Sequence, residues 1–336
     1  MEHKTEESNK HLEFIFTSFF LWRIGLFIVA VIAVNLIHSQ ANFLGGGLEN
    51  YTKAPWFWGW SNFDGEHYLS IARFGYRPLE QAFFPLYPLL IRLTVKIFDV
   101  HFIHPELANI SGLLISNASF LIGLMGFYNV LQLDYSEKIT KLAVFLILIF
   151  PTSFYFGSVY TEGLFFALII WSFYFARKRN WFIASLLALL SSMTRIVGII
   201  MLPALIVEFL LAQQSMKFNR KAIWLLLIPL GLISYMIFLK IKFGDPLAFI
   251  HTLPSFGEQR SGTPILLPQV FYRYLFKIFP NLNYSYLPLI FTTFLEFFSS
   301  LLFLIISIFS LLRLRLSYSI YLVAGFLLPT LSGSFS

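Results

Sequence analysis

The chain has 336 residues, of which 57% are hydrophobic and only 12% charged. A soluble domain carries about 25% charged residues, so a soluble globular enzyme is excluded and an all-α polytopic membrane protein is expected. The net charge of +7 reads as loop bias rather than nucleic-acid affinity, because Lys and Arg cluster in short loops; the lack of cysteine removes disulfides and thiolate metal sites.

The first 13 residues are a polar tail of mixed charge. The apolar run 14–37 that follows is too long for a signal-peptide core of roughly 7–15 residues and reads as a retained first span. A span needs about 20 apolar residues. Further candidates are residues 107–131, 142–157, 163–176, 182–194, 196–212, 222–241, 287–312 and 317–331. Together they make about nine spans in one bundle, a single domain over residues 1–336, since no Pro/Gly/Ser-rich linker divides it. Charges near span ends, such as Arg23, are expected to snorkel to the surface.

Orientation follows from the basic loops. Lys138 with Lys141, Arg177-Lys178-Arg179, Lys217 with Arg220-Lys221, and Arg313 with Arg315 belong on the inner side. Three regions then fall outside: the large loop 39–106, the turn at Tyr160-Thr161-Glu162, and the second large loop 242–286. The tip at Thr194-Arg195 also faces outward if residues 182–212 form a hairpin of two short helices; a single tilted helix there breaks the parity. Residues 82–98 cannot be a further span without reversing the basic loops, so they are expected as an amphipathic helix on the outer leaflet, with Trp56, Trp58 and Trp60 marking the same interface.

The stretch 58–88, WGWSNFDGEHYLSIARFGYRPLEQAFFPLYP, is unusually polar for this chain and holds Asp64, Glu66, His67, Arg73, Arg77 and Glu80. If it is helical from Asp64 to Phe74, then Asp64, His67, Tyr68 and Ile71 share one face, and Glu66, Ser70 and Arg73 another. The two carboxylates then point apart, which argues against a paired-carboxylate hydrolase. Asp64 either caps the helix, with Gly65 giving room, or acts as a single carboxylate base; the roles are compatible. Thr161 and Glu162 open the next span, as a cap and a dipole-matched acid or as an acidic group at the mouth of a membrane bundle. Arg195 either snorkels or grips a lipid phosphate. Asp245, His251, Arg260 and Arg273 lie in the second loop, where a solvated role for each is the simpler reading. There is no Walker P-loop, HExxH, GxSxG or EF-hand sequence.

The segment FDGEHYLSIARFGY…AFFPLYPLLIRL resembles the PIG-V family of GPI mannosyltransferases and its bacterial relatives. FPTSFYFGSVYTEGLFF, SSMTRIVGI and KFGDPLAFIH resemble three further family motifs, in the same order, over residues about 60 to 251. The resemblance implies a GT-C-type helical bundle whose first outer loop carries the catalytic acid, and a polyprenyl- or dolichyl-phosphate mannose donor. It makes Asp64 the candidate base and Tyr160, Glu162 and Arg195 candidate site residues; His67, Tyr68, Arg73, Asp245, His251 and Arg260 join them as candidate substrate contacts. The chain departs from the family in two places. It ends at LLPTLSGSFS, where the family's S-x-x-R-Y motif begins, which implies a truncated chain or a short variant. The loop HTLPSFGEQRSG lacks the family's aromatic- and Gln-containing pattern, so the acceptor does not carry over.

The expected activity is transfer of a hexose, mannose by the resemblance, to a hydroxyl of a glycan or glycolipid with inversion. It takes place at the external or lumenal face, of the plasma membrane in a bacterium or the endoplasmic reticulum in a eukaryote. No metal, cofactor or nucleic-acid partner is expected. Two other classes remain: a flippase or transporter of lipid-linked sugars, and a non-catalytic subunit of a glycosylation complex. Transporters usually place their site near the midplane on broken helices, whereas the polar groups here gather in outer loops.

Overall fold

The computed structural model describes residues 2–37, 47–102, 104–213, 220–256 and 265–331, all of them helix, turn or loop, with no strand among them. Eleven longer helices carry the described fold: α1 (Glu2–Leu36), α2 (Asp64–Phe74), α3 (Leu86–Phe98), α4 (Pro105–Leu131), α5 (Glu137–Ile149), α6 (Glu162–Arg177), α7 (Trp181–Ser192), α8 (Met201–Ala212), α9 (Ile228–Phe243), α10 (Leu287–Arg313) and α11 (Leu316–Thr330). The expected polar tail is helical from Glu2 and continues into α1.

Four helices are long and apolar enough to cross a membrane: Lys10–Leu36, Pro105–Leu131, Arg220–Phe243 and Leu289–Arg313. Shorter apolar helices, among them Trp181–Ser192 and Leu316–Thr330, accompany them. The nine full spans read from hydropathy are thus four long helices and a set of shorter ones among the described residues. Proline sets some of the boundaries. Pro105 opens α4 at a position where its missing N–H is not needed. Pro151 follows α5 and stops it well short of the expected boundary at 157.

Four apolar clusters hold the described bundle, the smallest of them Val270, Tyr274 and Phe297; the other three are larger. One joins α1, α4 and α5 through Phe19, Phe120, Leu124, Tyr128 and Val144. A second joins α6, α7 and α8 through Phe173, Trp181, Ala184, Met201, Leu205 and Phe209. The third lies between α2, α3, α6 and α9, with Tyr68, Phe84, Tyr87, Ile91, Leu168 and Tyr235 at its centre. Hydroxyls stitch helices across these contacts, as packing in hydrocarbon favours: Ser172 Oγ donates to the Ala184 carbonyl at 2.7 Å, and Ser192 Oγ to that of Ile228 at 3.1 Å.

The region 182–212 is a hairpin. The Trp181 and Phe209 rings lie 4.8 Å apart, so α7 begins where α8 ends, and Arg195 sits at the turn between them. In the region 82–98 the helix starts at Leu86, and one face, Leu86, Tyr87, Pro88, Ile91 and Val95, is buried in the third cluster. Leu89, Leu93, Ile97 and Phe98 on the same helix are exposed. Arg23 lies midway along the apolar part of α1 and packs over the Trp60 ring at 4.3 Å.

Helix α6 carries an acid at one end and a base at the other, about 22 Å apart at 1.5 Å per residue. Around the Arg177 end, Glu208 is 1% exposed. It accepts two bonds from Arg315, at 2.7 and 2.8 Å, and one from Ser317 Oγ at 2.7 Å. Arg177 lies 3.7 Å from the same carboxylate and forks onto Asp134 at 2.5 and 2.8 Å. The network ties the α4–α5 connection, α6, α8 and α11 together. Removing the acid of a buried pair leaves uncompensated charge, at a cost of about 3–5 kcal/mol. Glu208→Ala is therefore expected to lower the thermal unfolding midpoint in detergent well below that of wild type, with Glu208→Gln falling between them.

Candidate active site

The site begins at a strained residue. Phe63 has φ 56° and ψ −119°, a conformation that costs a non-glycine residue about 1–3 kcal/mol and that tends to occur at functional sites. The strain turns the chain sharply from Asn62 into α2. The first amides of the helix are satisfied by main chain: Gly65 N–H donates to the Asn62 carbonyl at 3.2 Å and Glu66 N–H to that of Phe63 at 3.0 Å. Asp64 is consequently not the cap. Phe63 holds the N-cap position, no side chain makes a cap bond there, and Asp64 is the first helical residue with its side chain exposed. Gly65 is buried against the neighbouring loop, where an added Cβ would stand 3.3 Å from both Ser61 Cβ and the Val159 carbonyl oxygen.

That neighbouring loop brings the second segment. Val159 N–H donates to the Trp60 carbonyl at 2.9 Å, and Tyr160 Oη to that of Asn62 at 3.0 Å. From behind, Ser116 Oγ on α4 donates to the Tyr160 carbonyl at 2.9 Å and lies 2.7 Å from Tyr87 Oη. Thr161 precedes α6 but makes no cap bond, which corrects the reading of its hydroxyl as a cap. The third segment supplies the reason. Arg195 Nη1 donates to Thr161 Oγ1 at 3.2 Å and forms a short ion pair with Glu162 Oε1. The other Glu162 oxygen is buried without a hydrogen bond. The tip bearing Arg195 is also fixed to the start of α3, since Leu86 N–H donates to the Met193 carbonyl at 3.1 Å.

Asp64, Tyr68, Tyr160, Glu162 and Arg195 lie within electrostatic reach of one another. Burial pushes the Tyr68 phenol well up, the Asp64 carboxylate adds to the effect and the Arg195 guanidinium opposes it. Burial and then Asp64 push Tyr160 up in the same way. The Glu162 carboxylate holds Arg195 firmly in its charged form. His67 stacks on Phe83 with ring centroids 4.5 Å apart. Burial lowers its pKa, and Glu80 and Asp64 pull it partly back.

Other candidates sit elsewhere. Arg73 is exposed at the far end of α2, over the Phe74 ring at 5.0 Å. Asp245 and His251 pair with each other at 2.7 Å on the second loop, and no contact joins them to Glu162 or Arg195. Arg260 lies outside the described residues. Among those residues no group of three His, Asp or Glu side chains gathers as a metal would need. Sequence reasoning missed Glu80. It is 4% exposed, accepts from Ser70 Oγ at 2.5 Å and from the Arg77 amide at 2.8 Å, and so locks the loop after α2. Its only signal was an acid placed just before the apolar AFFPLYP segment.

The three meeting segments are those marked out by the motifs FDGEHY, YTEG and TRIVG. A family model described as Mannosyltransferase (PIG-V) matches residues 14–243. The chain belongs to the PIG-V mannosyltransferase family. The match spans every residue of the Asp64–Glu162–Arg195 assembly and stops before the Gly244-Asp245-Pro246 turn. No curated protein and no solved structure matches the chain. Family membership together with the four long apolar helices makes it an integral membrane glycosyltransferase.

Glu66 offers a check on the geometry of α2. Burial pushes its carboxyl from the ordinary 4.5 to about 6. An acid raised on folding contributes stability that is present below its unfolded pKa and lost as pH rises through the folded one. Glu66→Gln is accordingly expected to match wild-type stability below pH 4.5 and to exceed it above pH 6, read from unfolding midpoints across that window.

Proposed function

We propose that the protein transfers mannose from a polyprenyl- or dolichyl-phosphate mannose to a hydroxyl of a glycan or glycolipid, with inversion at the sugar C1. The observation that carries this reading is the meeting of three distant segments at one end of the bundle. They present the exposed Asp64 carboxylate beside an arginine whose charge is already matched by Glu162. Asp64 takes the acceptor proton as the acceptor oxygen bonds to C1. The bond from C1 to the phosphate oxygen breaks with its electron pair, and the lipid phosphate leaves. A lone carboxylate suits this chemistry, because the leaving group is already a phosphate and needs no protonating acid. The strained turn at Phe63 fixes where the carboxylate stands. Arg195 orders the mouth of the site by holding α6 to the hairpin tip. By the placement of the basic loops, this end of the bundle is the external or lumenal one, and the single domain works as a unit.

The first test is sugar transfer by the purified protein from labelled polyprenyl-phosphate mannose, wild type against Asp64→Asn. Positioned base catalysis contributes about 10²–10⁴-fold. Asp64→Asn is expected to lose that much in kcat with its unfolding midpoint unchanged. Equal turnover by the two proteins would remove Asp64 from the mechanism. If instead an acid limb near pH 6 vanished in Glu66→Gln, the base would be Glu66.

A further inference from the structure

Arg23 is a charged group in an unusual position. It lies midway along the apolar stretch Lys10–Leu36. Intramembrane charges of this kind are costly and persist where they face a partner or a polar cavity. Among the described residues no carboxylate pairs with Arg23. Its Cζ lies 4.3 Å from the Trp60 ring centroid, and its Nη1 is buried with no hydrogen bond. An added Cβ on Gly157 would stand 2.6 Å from that nitrogen, so the guanidinium is seated on the Gly157 main chain. Two neighbours fix this seat. Trp22 Nε1 donates to Ser153 Oγ at 3.1 Å, and Asn117 Nδ2 donates to the Gly157 carbonyl at 3.1 Å.

The seat belongs to the back of the site. Trp60 and Val159, joined main chain to main chain, lead within four residues to Asp64 and within three to Glu162. The loop from Trp56 to Trp60 runs down α1, with Trp56 against Phe27 at 6.0 Å and Trp60 against Arg23. Only 6% of the α1 apolar window is buried, so most of the helix surface is uncovered by the described chain. Arg195 already donates through Nη1 to Thr161 and Glu162, whereas the Nη1 of Arg23 has no acceptor. A planar guanidinium fork matches phosphate oxygens.

We propose that Arg23, seated between Trp60 and Gly157, binds the phosphate of the lipid-phosphate sugar donor. The assignment rests on the transferase reading above and adds the residue that holds the leaving group. A phosphate on a lipid is the shared chemistry; the prenyl-linked donor and an ordinary phospholipid headgroup are its two sources.

The test uses the full chain purified in detergent, as wild type, Arg23→Gln and Gly157→Ala. Donor KM and kcat are measured with polyprenyl-phosphate mannose, and direct binding with sugar-free polyprenyl phosphate. Loss of a charge-assisted contact is expected to raise the KM and weaken binding about 10- to 100-fold in Arg23→Gln. Gly157→Ala keeps the charge but displaces the guanidinium, and is expected to shift both in the same direction. It also serves if Arg23→Gln fails to fold, since the nearest atom it displaces is the end of a flexible side chain, with the Trp22 ring next at 3.1 Å. Unchanged KM and binding in folded variants, with wild-type transfer intact, would overturn the assignment and leave the transferase reading standing. Arg23-dependent binding without any wild-type transfer would do the reverse. Phosphatidylglycerol vesicles that displace polyprenyl phosphate at equal concentration would overturn the donor assignment in favour of a general headgroup site.

Discussion

The ion pair between Glu162 and Arg195 is the contact around which this end of the bundle is arranged. It joins the first residue of α6 to the turn of the α7–α8 hairpin. The hairpin tip in turn holds the start of α3 through the Met193 carbonyl. Beside a membrane an unpaired charge is costly, so each fixes the other, and the segments bearing them follow. The same constraint acts at the opposite end of α6, where Glu208 gathers Arg315, Ser317 and Arg177. The helices between the two ionic layers need only apolar packing and a few hydroxyl bonds.

The polar side chains at this end differ in how they are held. Arg195 is matched in charge, Tyr68 is buried, and Glu80 is locked by Ser70 and Arg77. Asp64 is an exposed acid at the start of a short helix, behind a residue in a strained conformation. The side chains around it are stacked aromatics: His67 on Phe83, and Tyr68 edge-on to Phe83 and Tyr87 at 5.3 and 5.2 Å. Rings of this kind hold their geometry through packing, which keeps the mouth of the site in shape.

Much of this was legible in the sequence. The apolar runs placed most helices, and the parity of the basic loops required the hairpin that the Trp181–Phe209 contact shows. The order of the motifs brought Asp64, Tyr160, Glu162 and Arg195 into one neighbourhood. What was hidden depended on contacts between distant positions. Asp64 and Thr161 both looked like caps, because residue type and place suit a cap; strain at Phe63 and the pull of Arg195 on Thr161 decided otherwise. The amphipathic pattern of residues 86–98 was visible, but periodicity alone does not say whether protein or lipid takes the apolar face. Glu80 needed the fold of the loop after α2. Arg23 looked like an end charge, since its partners lie in loops 37 and 134 residues further along the chain.

That last separation bears on how the protein is made. Helix α1, which carries Arg23 in an apolar stretch of mean hydropathy 2.2, precedes in the chain both residues that seat the arginine. Trp60 arrives soon afterwards, but Gly157 follows only when α4 and α5 are already in place. Throughout that interval the seat of Arg23 is incomplete.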